Sequence, residues 1–302
     1  MFKIISDGGC DFTNEEAKKL DVTVVPFYIS FDQNSHLKEG IDISNEDYFN
    51  RLATEKNLFP KTAQPNPQDY IDYYTPALEA GLDIIAITIS SKVSGSNNSA
   101  NIAADILRND FPARTIEVID SLNGSVGQGL ILREMIKMRD AGFSLKRTVK
   151  LAKEVLKTTR IYFTVESLEY LKKGGRIGPT TALVGGILGL RPILQLVDGE
   201  VSQLDSVRGK KNSLRLINEA MVYAVQDAKA DVRIGIGHIR SESDAASFKS
   251  KMEADLGIEI DTPITCVGAA IGTHTGPGAL AFAYCKKYEA IIEEIERVAT
   301  VA

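Results

Sequence analysis

The sequence predicts an α/β protein of two domains. Residues 1–160 would form a parallel α/β sheet, and residues 161–302 an α+β domain with a mixed or antiparallel sheet. Strand and helix patterns alternate through the first half, as in parallel sheets with helical crossovers. The second half contains Asp198-Gly199 between two strand-like runs, which is a hairpin signal. A chain of 302 residues is long enough for two hydrophobic cores.

In the first domain, helix-start signals follow apolar runs at short intervals. Thr13 begins a capping-box pattern, and Asn66-Pro67 is a cap followed by a first-turn proline. Gly142 predicts the end of one helix and Ser144 the start of the next. The predicted strands are residues 2–6, 22–31, 83–89 and 115–119. Helices are predicted over residues 13–20, 44–56, 66–81 and 124–141, with one opening at Ser94.

The second domain mixes hairpin and helix signals. Its predicted strands are residues 161–165, 192–197, 200–205, 232–237 and 264–271, and its predicted helices are residues 166–173, 210–228 and 241–256. The last strand would lead into a glycine-rich loop containing His274. Pro277 would then take the first position of a final helix, where its missing N–H is no loss.

Composition and charge indicate a globular cytoplasmic protein. Charged residues make up 25% of the chain and hydrophobic residues 44%. The formal net charge of −5 argues against a nucleic-acid partner, which would require a basic face. The three cysteines form no disulfide framework. With no signal peptide and no apolar run of about 20 residues, we expect at most peripheral contact with the inner membrane face.

Hydroxyl-bearing loops and one histidine form the candidate binding site. Thr62 precedes a capped helix, Ser94 follows the strand at 83–89, and a second serine-rich loop occupies residues 120–125. Each hydroxyl taken alone fits a helix cap or a turn. Because ligands of α/β proteins bind at the carboxyl edge of the sheet, the loops together suggest a shared site. Thr62, Ser94, His274 and nearby backbone amides would suit a carboxylate or a phosphate.

Catalysis is less well supported than binding. No metal-ligand spacing, phosphate loop or dinucleotide fingerprint occurs, so we expect neither a metal nor a cofactor. The alternative is a serine esterase or acyltransferase with Ser94 as nucleophile and His274 as base. However, the nucleophile-elbow pattern is absent, and no acid is evident to orient His274. A transcription-linked regulatory module is a third hypothesis, which the acidic net charge disfavours.

An apolar stretch and a set of basic residues lie in the second half. Residues 182–190 are apolar and dotted with glycine, too short to span a bilayer, and typical of a core helix or of a slot for an alkyl tail. Basic residues are usually a solvated face, but these flank apolar segments and could attract an acidic partner or anionic lipid headgroups. They are Lys172, Lys173, Arg176, Arg191, Arg208, Lys210 and Lys211.

Five motifs in the same order resemble the DegV family. They are Thr62-x-Gln-Pro, Ser90-Ser-x-x-Ser-Gly-Ser, Asp120-Ser-x-x-x-Ser-x-Gly-x-Gly, Leu168-Glu-Tyr-Leu-Lys-Lys-Gly-Gly-Arg-Ile177 and His274-Thr-Gly-Pro-Gly278. The resemblance runs from the first strand to the final helix. That family includes the FakB-type fatty-acid-binding subunits of bacterial fatty acid kinase.

The resemblance implies a two-domain, non-catalytic carrier that buries a long-chain fatty acid. The carboxylate ligands would be Thr62, Ser94 and His274. Arg176 and Arg208 would lie near the headgroup or dock an ATP-dependent kinase subunit. That partner would convert the presented acid into an acyl phosphate for phospholipid synthesis.

The sequence departs from the family pattern in the lining of the headgroup loops. Gly8-Gly9 stands where a threonine- or serine-rich form is usual, Ala63 where serine is commoner, and Ser96 where threonine is commoner. These departures leave the three implied carboxylate ligands intact.

Overall fold

The computed structural model describes residues 1–32, 35–55, 58–177 and 189–301, without the side chains of residues 300 and 301. The elements before residue 160 are β1 (Phe2–Asp7), α1 (Asn14–Lys19), β2 (Val22–Val25), β3 (Tyr28–Ser30), β4 (Leu37–Lys38), α2 (Asn45–Thr54), β5 (Lys61–Ala63), α3 (Pro67–Glu79), β6 (Asp83–Thr88), α4 (Ser96–Asp110), β7 (Ile116–Asp120), α5 (Ser125–Asp140) and α6 (Leu145–Thr158). The later elements are β8 (Arg160–Thr164), α7 (Glu169–Gly174), β9 (Leu190–Val197), β10 (Glu200–Arg208), α8 (Lys210–Val225), β11 (Val232–His238), α9 (Glu242–Leu256), β12 (Thr265–Cys266), α10 (Ala269–Thr275), β13 (Leu280–Lys286) and α11 (Tyr288–Val301).

The first half contains the predicted parallel sheet. Its strand order is β2-β1-β6-β7, and all pairs are parallel. Helices α3 and α4 pack on one side, while α5 and α6 also contact the central strands. Because both faces are covered, β1 and β6 are almost continuously buried, and β6 is apolar except at its two ends. A small antiparallel sheet, β4-β3-β5, is attached to this half and carries Thr62.

The second half contains the predicted mixed sheet. Its order is β10-β9-β8-β13-β11-β12, antiparallel except for the β11–β12 pair. Helices α5 and α6 contact β13 as well as the first sheet, so they lie between the two sheets. One hydrophobic core therefore includes residues from both halves, among them Ile4, Leu130 and Ala281. A domain boundary near residue 160 stays a prediction.

The hairpin of β9 and β10 forms as the Asp-Gly signal predicts. Asp198 and Gly199 both have positive φ, 48° and 84°, as a type I′ turn requires. The tip of the hairpin contacts the loop after β6, where Ser90 Oγ donates a hydrogen bond to the Gly199 carbonyl at 2.8 Å. A Cβ at position 199 would lie 2.4 Å from Ser90 Oγ, so only glycine allows this approach.

Two local predictions in the first half were wrong. The run at 22–31 is two strands in different sheets, because Pro26 lacks an N–H for the ladder and the chain turns there. Ser94 does not open a helix. Helix α4 has Gly95 as its N-cap, and Ser94 Oγ accepts a bond from the Ser96 amide at 3.3 Å. Ser94 thus lies in the loop before the helix.

The C-terminal motif was predicted as a strand, a loop and a helix, but in the structure a helix precedes the loop and a strand follows it. Residues up to Thr275 form α10, and the apolar run after Pro277 is the strand β13. Short apolar runs do not distinguish a buried strand from a buried helix. α5 and α6 cover one face of β13, and Phe248 of α9 stacks on Phe282 at the other, so the strand is buried on both faces and its alternation is lost. His274 consequently lies in the last turn of a helix.

Most of the predicted apolar slot at 182–190 lies outside the described residues; only Gly189 and Leu190, where β9 begins, are within them. Among the described helices, none is long and apolar enough to cross a membrane.

Candidate functional site

A cavity lies between the carboxyl edge of the parallel sheet, the face of the mixed sheet and helix α10. The centre of a water molecule can occupy about 130 Å³ of this cavity. One water needs only about 10–15 Å³ on that scale. The walls are mostly apolar, and their larger side chains are Phe27, Ile89, Phe163, Leu171, Leu196, Val201, Ile239, Val267 and Ile271.

Four of the five predicted site residues line this cavity. Thr62 comes from β5, Ser94 from the loop after β6, Arg176 from the segment after α7 and His274 from α10. We call these four residues the headgroup cluster. The Thr62 hydroxyl and His274 Nε2 share a hydrogen bond of 2.8 Å. The fifth residue, Arg208, is exposed at the end of β10 and does not line the cavity.

Glycines allow the close packing that positions the imidazole. A Cβ at position 174 would lie 2.1 Å from His274 Nδ1. The end of α7 can therefore approach the imidazole ring only because residue 174 is glycine. The next residue, Gly175, ends α7 with φ of 68°. On the preceding position of α10, Thr273 Oγ1 hydrogen-bonds Tyr48 Oη at 2.8 Å. The helix that carries His274 is therefore fixed by both halves of the chain.

Burial keeps the imidazole neutral near pH 7. Desolvation lowers the pKa of His274 to about 4, and the positive charge of Arg176 adds to this effect. His274 Nδ1 is buried and has no hydrogen-bond partner among the described residues. A buried polar atom without a partner is costly, and the backbone of Gly174 packs against this one.

Arg176 brings a permanent positive charge to the same end of the cavity. Its Nε donates to the Val93 carbonyl at 3.2 Å, and its Nη1 donates to the Gly174 carbonyl. These two bonds connect the Ser94 loop with the end of α7. Within the described part of the chain Nη2 has no partner, which leaves a charged donor for an anion.

The loop at 120–125 contributes two residues to the cavity, Gly124 and Ser125. Ser121 Oγ donates to the Asn123 carbonyl at 2.9 Å, and Asp120 accepts the Ser91 amide at 3.2 Å. These polar groups stabilise turns, which is the interpretation that the sequence allowed for each hydroxyl taken alone. Ser125 does line the cavity, and so do Gln64 and Thr275. Gln64 and Thr275 belonged to predicted motifs, but nothing in the sequence separated them from ordinary turn residues.

Several of the basic residues are neutralised by neighbouring acids. Arg191 pairs with Glu166 at 2.9 Å, Lys173 pairs with Glu169 at 2.8 Å, and Lys210 pairs with Asp244. These three cations therefore have a structural role in ion pairs with neighbouring acids. Within the described ranges no salt-bridge partner occurs for Arg208 or Arg176.

The geometry does not assemble a hydrolytic triad. His274 Nε2 bonds to Thr62 rather than to Ser94, and among the described residues no acid contacts Nδ1. A triad requires the base to contact the nucleophile and the acid to orient the base. Within the same ranges, no group of three or more His, Cys, Asp or Glu side chains is placed to hold a metal ion.

The fold and the cavity define an α/β protein with an internal cavity whose walls are mostly apolar and include the headgroup cluster. The chain belongs to the DegV family, because the family model described as "Uncharacterised protein, DegV family" matches residues 1–287. A DegV domain-containing protein of Caldanaerobacter subterraneus is 33% identical over 279 residues, covering 91% of this chain and 95% of that protein.

Solved structures of the family share the whole fold. A stearic-acid-binding protein from Eubacterium ventriosum is 30% identical, with a TM-score of 0.91 over 96% of this chain and all of that one (100%). A DegV family protein from Thermus thermophilus, described for its fatty acid binding, is 29% identical, with a TM-score of 0.85 over 94% of this chain and 99% of that one. These structural neighbours bind fatty acids.

Proposed function

We propose that this protein is a fatty-acid-binding carrier. The observation that supports the proposal is a largely apolar cavity that ends at the headgroup cluster. An alkyl chain would contact the apolar walls, and its burial is worth about 0.8 kcal/mol per methylene. The carboxylate would meet Thr62, Ser94 and His274, with Arg176 supplying the opposite charge. Hydrogen bonds to a charged acceptor contribute about 1.5–3 kcal/mol each.

Native mass spectrometry tests the carrier proposal directly. The purified protein should carry one long-chain fatty acid per chain, released on denaturation and identified in the organic extract. A ligand-free protein that takes up neither palmitate nor oleate would contradict it.

The finer proposal is a role as the FakB-type subunit of a fatty acid kinase system in the cytoplasm. The protein would present the carboxylate to an ATP-binding subunit, which phosphorylates it to an acyl phosphate for phospholipid synthesis. The acid itself would be exchanged during transient contact with the membrane surface. Support comes from the resemblance of the motifs and from Arg176 and Arg208, two of the basic residues that have no salt-bridge partner in the described ranges.

A charge-reversal pair tests the docking role of Arg208. The assay traps acyl phosphate as a hydroxamate, using oleate, ATP and a bacterial fatty acid kinase subunit. Arg208→Glu should lower the rate about tenfold or more while leaving oleate affinity unchanged. Arg215→Glu is the control, because Arg215 is also exposed but pairs with Glu219 within α8. Equal rates for both variants, or lost oleate binding in Arg208→Glu, would show that the assignment is wrong.

A further inference from the structure

Helix α10 is capped by side chains from distant parts of the chain. Its N-cap is Gly268, which has no side chain to accept the first amides. The Gly268 amide donates to Asp11 Oδ1 at 2.9 Å, the Ala269 amide to Asn45 Oδ1 at 3.1 Å and the Ala270 amide to Glu39 Oε1 at 2.9 Å. We call Asp11, Glu39 and Asn45 the α10 clamp. Three successive amides are thus satisfied from the first half of the chain.

The clamp has strict steric requirements. A Cβ at position 268 would lie 2.5 Å from Glu39 Oε1 and 3.1 Å from Asp11 Oδ1, so glycine is needed for both carboxyl groups to reach the helix. Asp11 is only 6% exposed, and Glu39 Oε2 is buried without a partner among the described residues. Burying two acids side by side is expensive, which indicates that the contact with α10 has a purpose beyond general stability.

The clamp also reaches the cavity. Ser125, which lines the cavity, donates from Oγ to Asp11 Oδ2 at 2.5 Å. At its other end α10 presents His274, one helical turn after Ala270. A helix of seven residues is marginal without tertiary contacts, so its position depends on what holds its ends.

We propose that Asp11, Glu39 and Asn45 are positioning residues that cap α10 in trans and thereby set where His274 meets the ligand carboxylate. The inference rests on the proposed function, in which His274 binds that carboxylate. Burial raises the pKa of Asp11 to about 7 and that of Glu39 to about 8. The clamp thus acts mainly as a set of hydrogen-bond acceptors, which an amide can replace.

The test compares alanine with amide substitutions. In Asp11→Ala and Glu39→Ala, the pKa of His274 in the ligand-free protein, followed by ring-nitrogen NMR, should move towards its ordinary value of about 6.5. Oleate affinity should fall about tenfold, equivalent to about 1.4 kcal/mol. Asp11→Asn and Glu39→Gln should restore both values. Asn45→Ala removes an uncharged, half-buried member of the clamp and is the variant to test if Asp11→Ala and Glu39→Ala do not fold.

A matched control separates positioning from general loosening. Glu134→Ala removes another buried carboxyl group, which accepts bonds from Arg233 and the Tyr288 amide and does not contact α10. It should lower stability and leave the titration of His274 unchanged. The inference is overturned if the clamp alanine variants leave that titration unchanged, or if Glu134→Ala shifts it equally. Failure of the wild-type protein to bind oleate would instead contradict the proposed function, while the NMR titration still tests the clamp.

Discussion

Two polar clusters lie at the carboxyl edge of the parallel sheet, and they differ in how many of their hydrogen bonds the protein itself supplies. The buried Asp7 carboxylate accepts bonds from Ser96 Oγ at 2.6 Å, Gln128 Nε2 at 2.9 Å and the amides of Gly9 and Ile89. We call this group the Asp7 cluster. In the described ranges, the headgroup cluster has one hydrogen bond between its members, shared by Thr62 Oγ1 and His274 Nε2, and His274 Nδ1 has no partner.

The difference separates polar groups that support the fold from those available to a ligand. Asp7 anchors the loop that carries Ser94, because its partners Ile89 and Ser96 lie on either side of that loop. The four groups that donate to Asp7 are therefore already used, although Gln128 Oε1 is buried without a partner among the described residues. In the headgroup cluster, Arg176 Nη2 has no partner in the described ranges, so this charged donor is available to an anion in the cavity.

The largest expected effect is on stability, at the Asp7 cluster. Asp7→Ala should lower the free energy of unfolding by at least about 3 kcal/mol, because several buried donors lose their acceptor at once. Urea denaturation of the ligand-free protein measures this change. Asp7→Asn should lose less, since one oxygen remains. A stable Asp7→Ala variant that has lost only ligand binding would reverse the roles assigned to the two clusters.

The next effect is on affinity, at the headgroup cluster. Thr62→Val, Ser94→Ala and His274→Ala should each weaken fatty acid binding by roughly ten- to a hundredfold, as expected for the loss of one bond to a charged acceptor. Their unfolding free energies should change by less than about 1 kcal/mol, since the headgroup cluster contributes little to the fold. Ser91→Ala is the control for Ser94, because Ser91 is exposed in the same loop and does not line the cavity.

The same variants distinguish a carrier from an esterase. Hydrolysis of an acyl p-nitrophenyl ester should be absent even in the wild-type protein. Wild-type turnover that disappears in Ser94→Ala and His274→Ala, with fatty acid binding preserved, would favour the esterase.

The smallest effect is a pH dependence at His274. The folded-state pKa of about 4 lies below the ordinary 6.5, so the unfolded chain binds the proton more tightly between these values. Stability of the ligand-free protein should therefore fall as pH drops from 6.5 towards 4. His274→Gln removes this contribution, and its loss of stability between pH 7 and 4.5 should be smaller than that of the wild type by about 2 kcal/mol. Parallel pH curves for the two proteins would contradict the buried, neutral imidazole.

The features that the sequence predicted correctly are those that local residue patterns determine. Alternating strands and helices identified the parallel sheet, and the Asp198-Gly199 turn identified the hairpin. Thr62, Ser94, Arg176 and His274 were selected by motif and do line one cavity. Their roles as carboxylate ligands stay predictions.

What the sequence did not predict depends on tertiary contacts. The apolar run of β13 gave no sign that it was a strand, because its burial on both faces follows from the helices that pack on either side of the sheet. The α10 clamp joins residues separated by more than 200 positions, and nothing near Asp11 or Glu39 indicates a helix to be capped. The cavity residues Leu196 and Val201 face inwards only because the hairpin lies against the first half of the chain.

The docked tip of the hairpin limits how this region can vary between related sequences. Its two-residue turn fits against Ser90 with no room for a side chain at position 199. A single inserted residue there would displace the carbonyl that Ser90 binds and move the strands that supply Leu196 and Val201 to the cavity. Hairpin turns on protein surfaces usually tolerate changes of length. In this protein the turn is instead a site where insertions and deletions should be excluded.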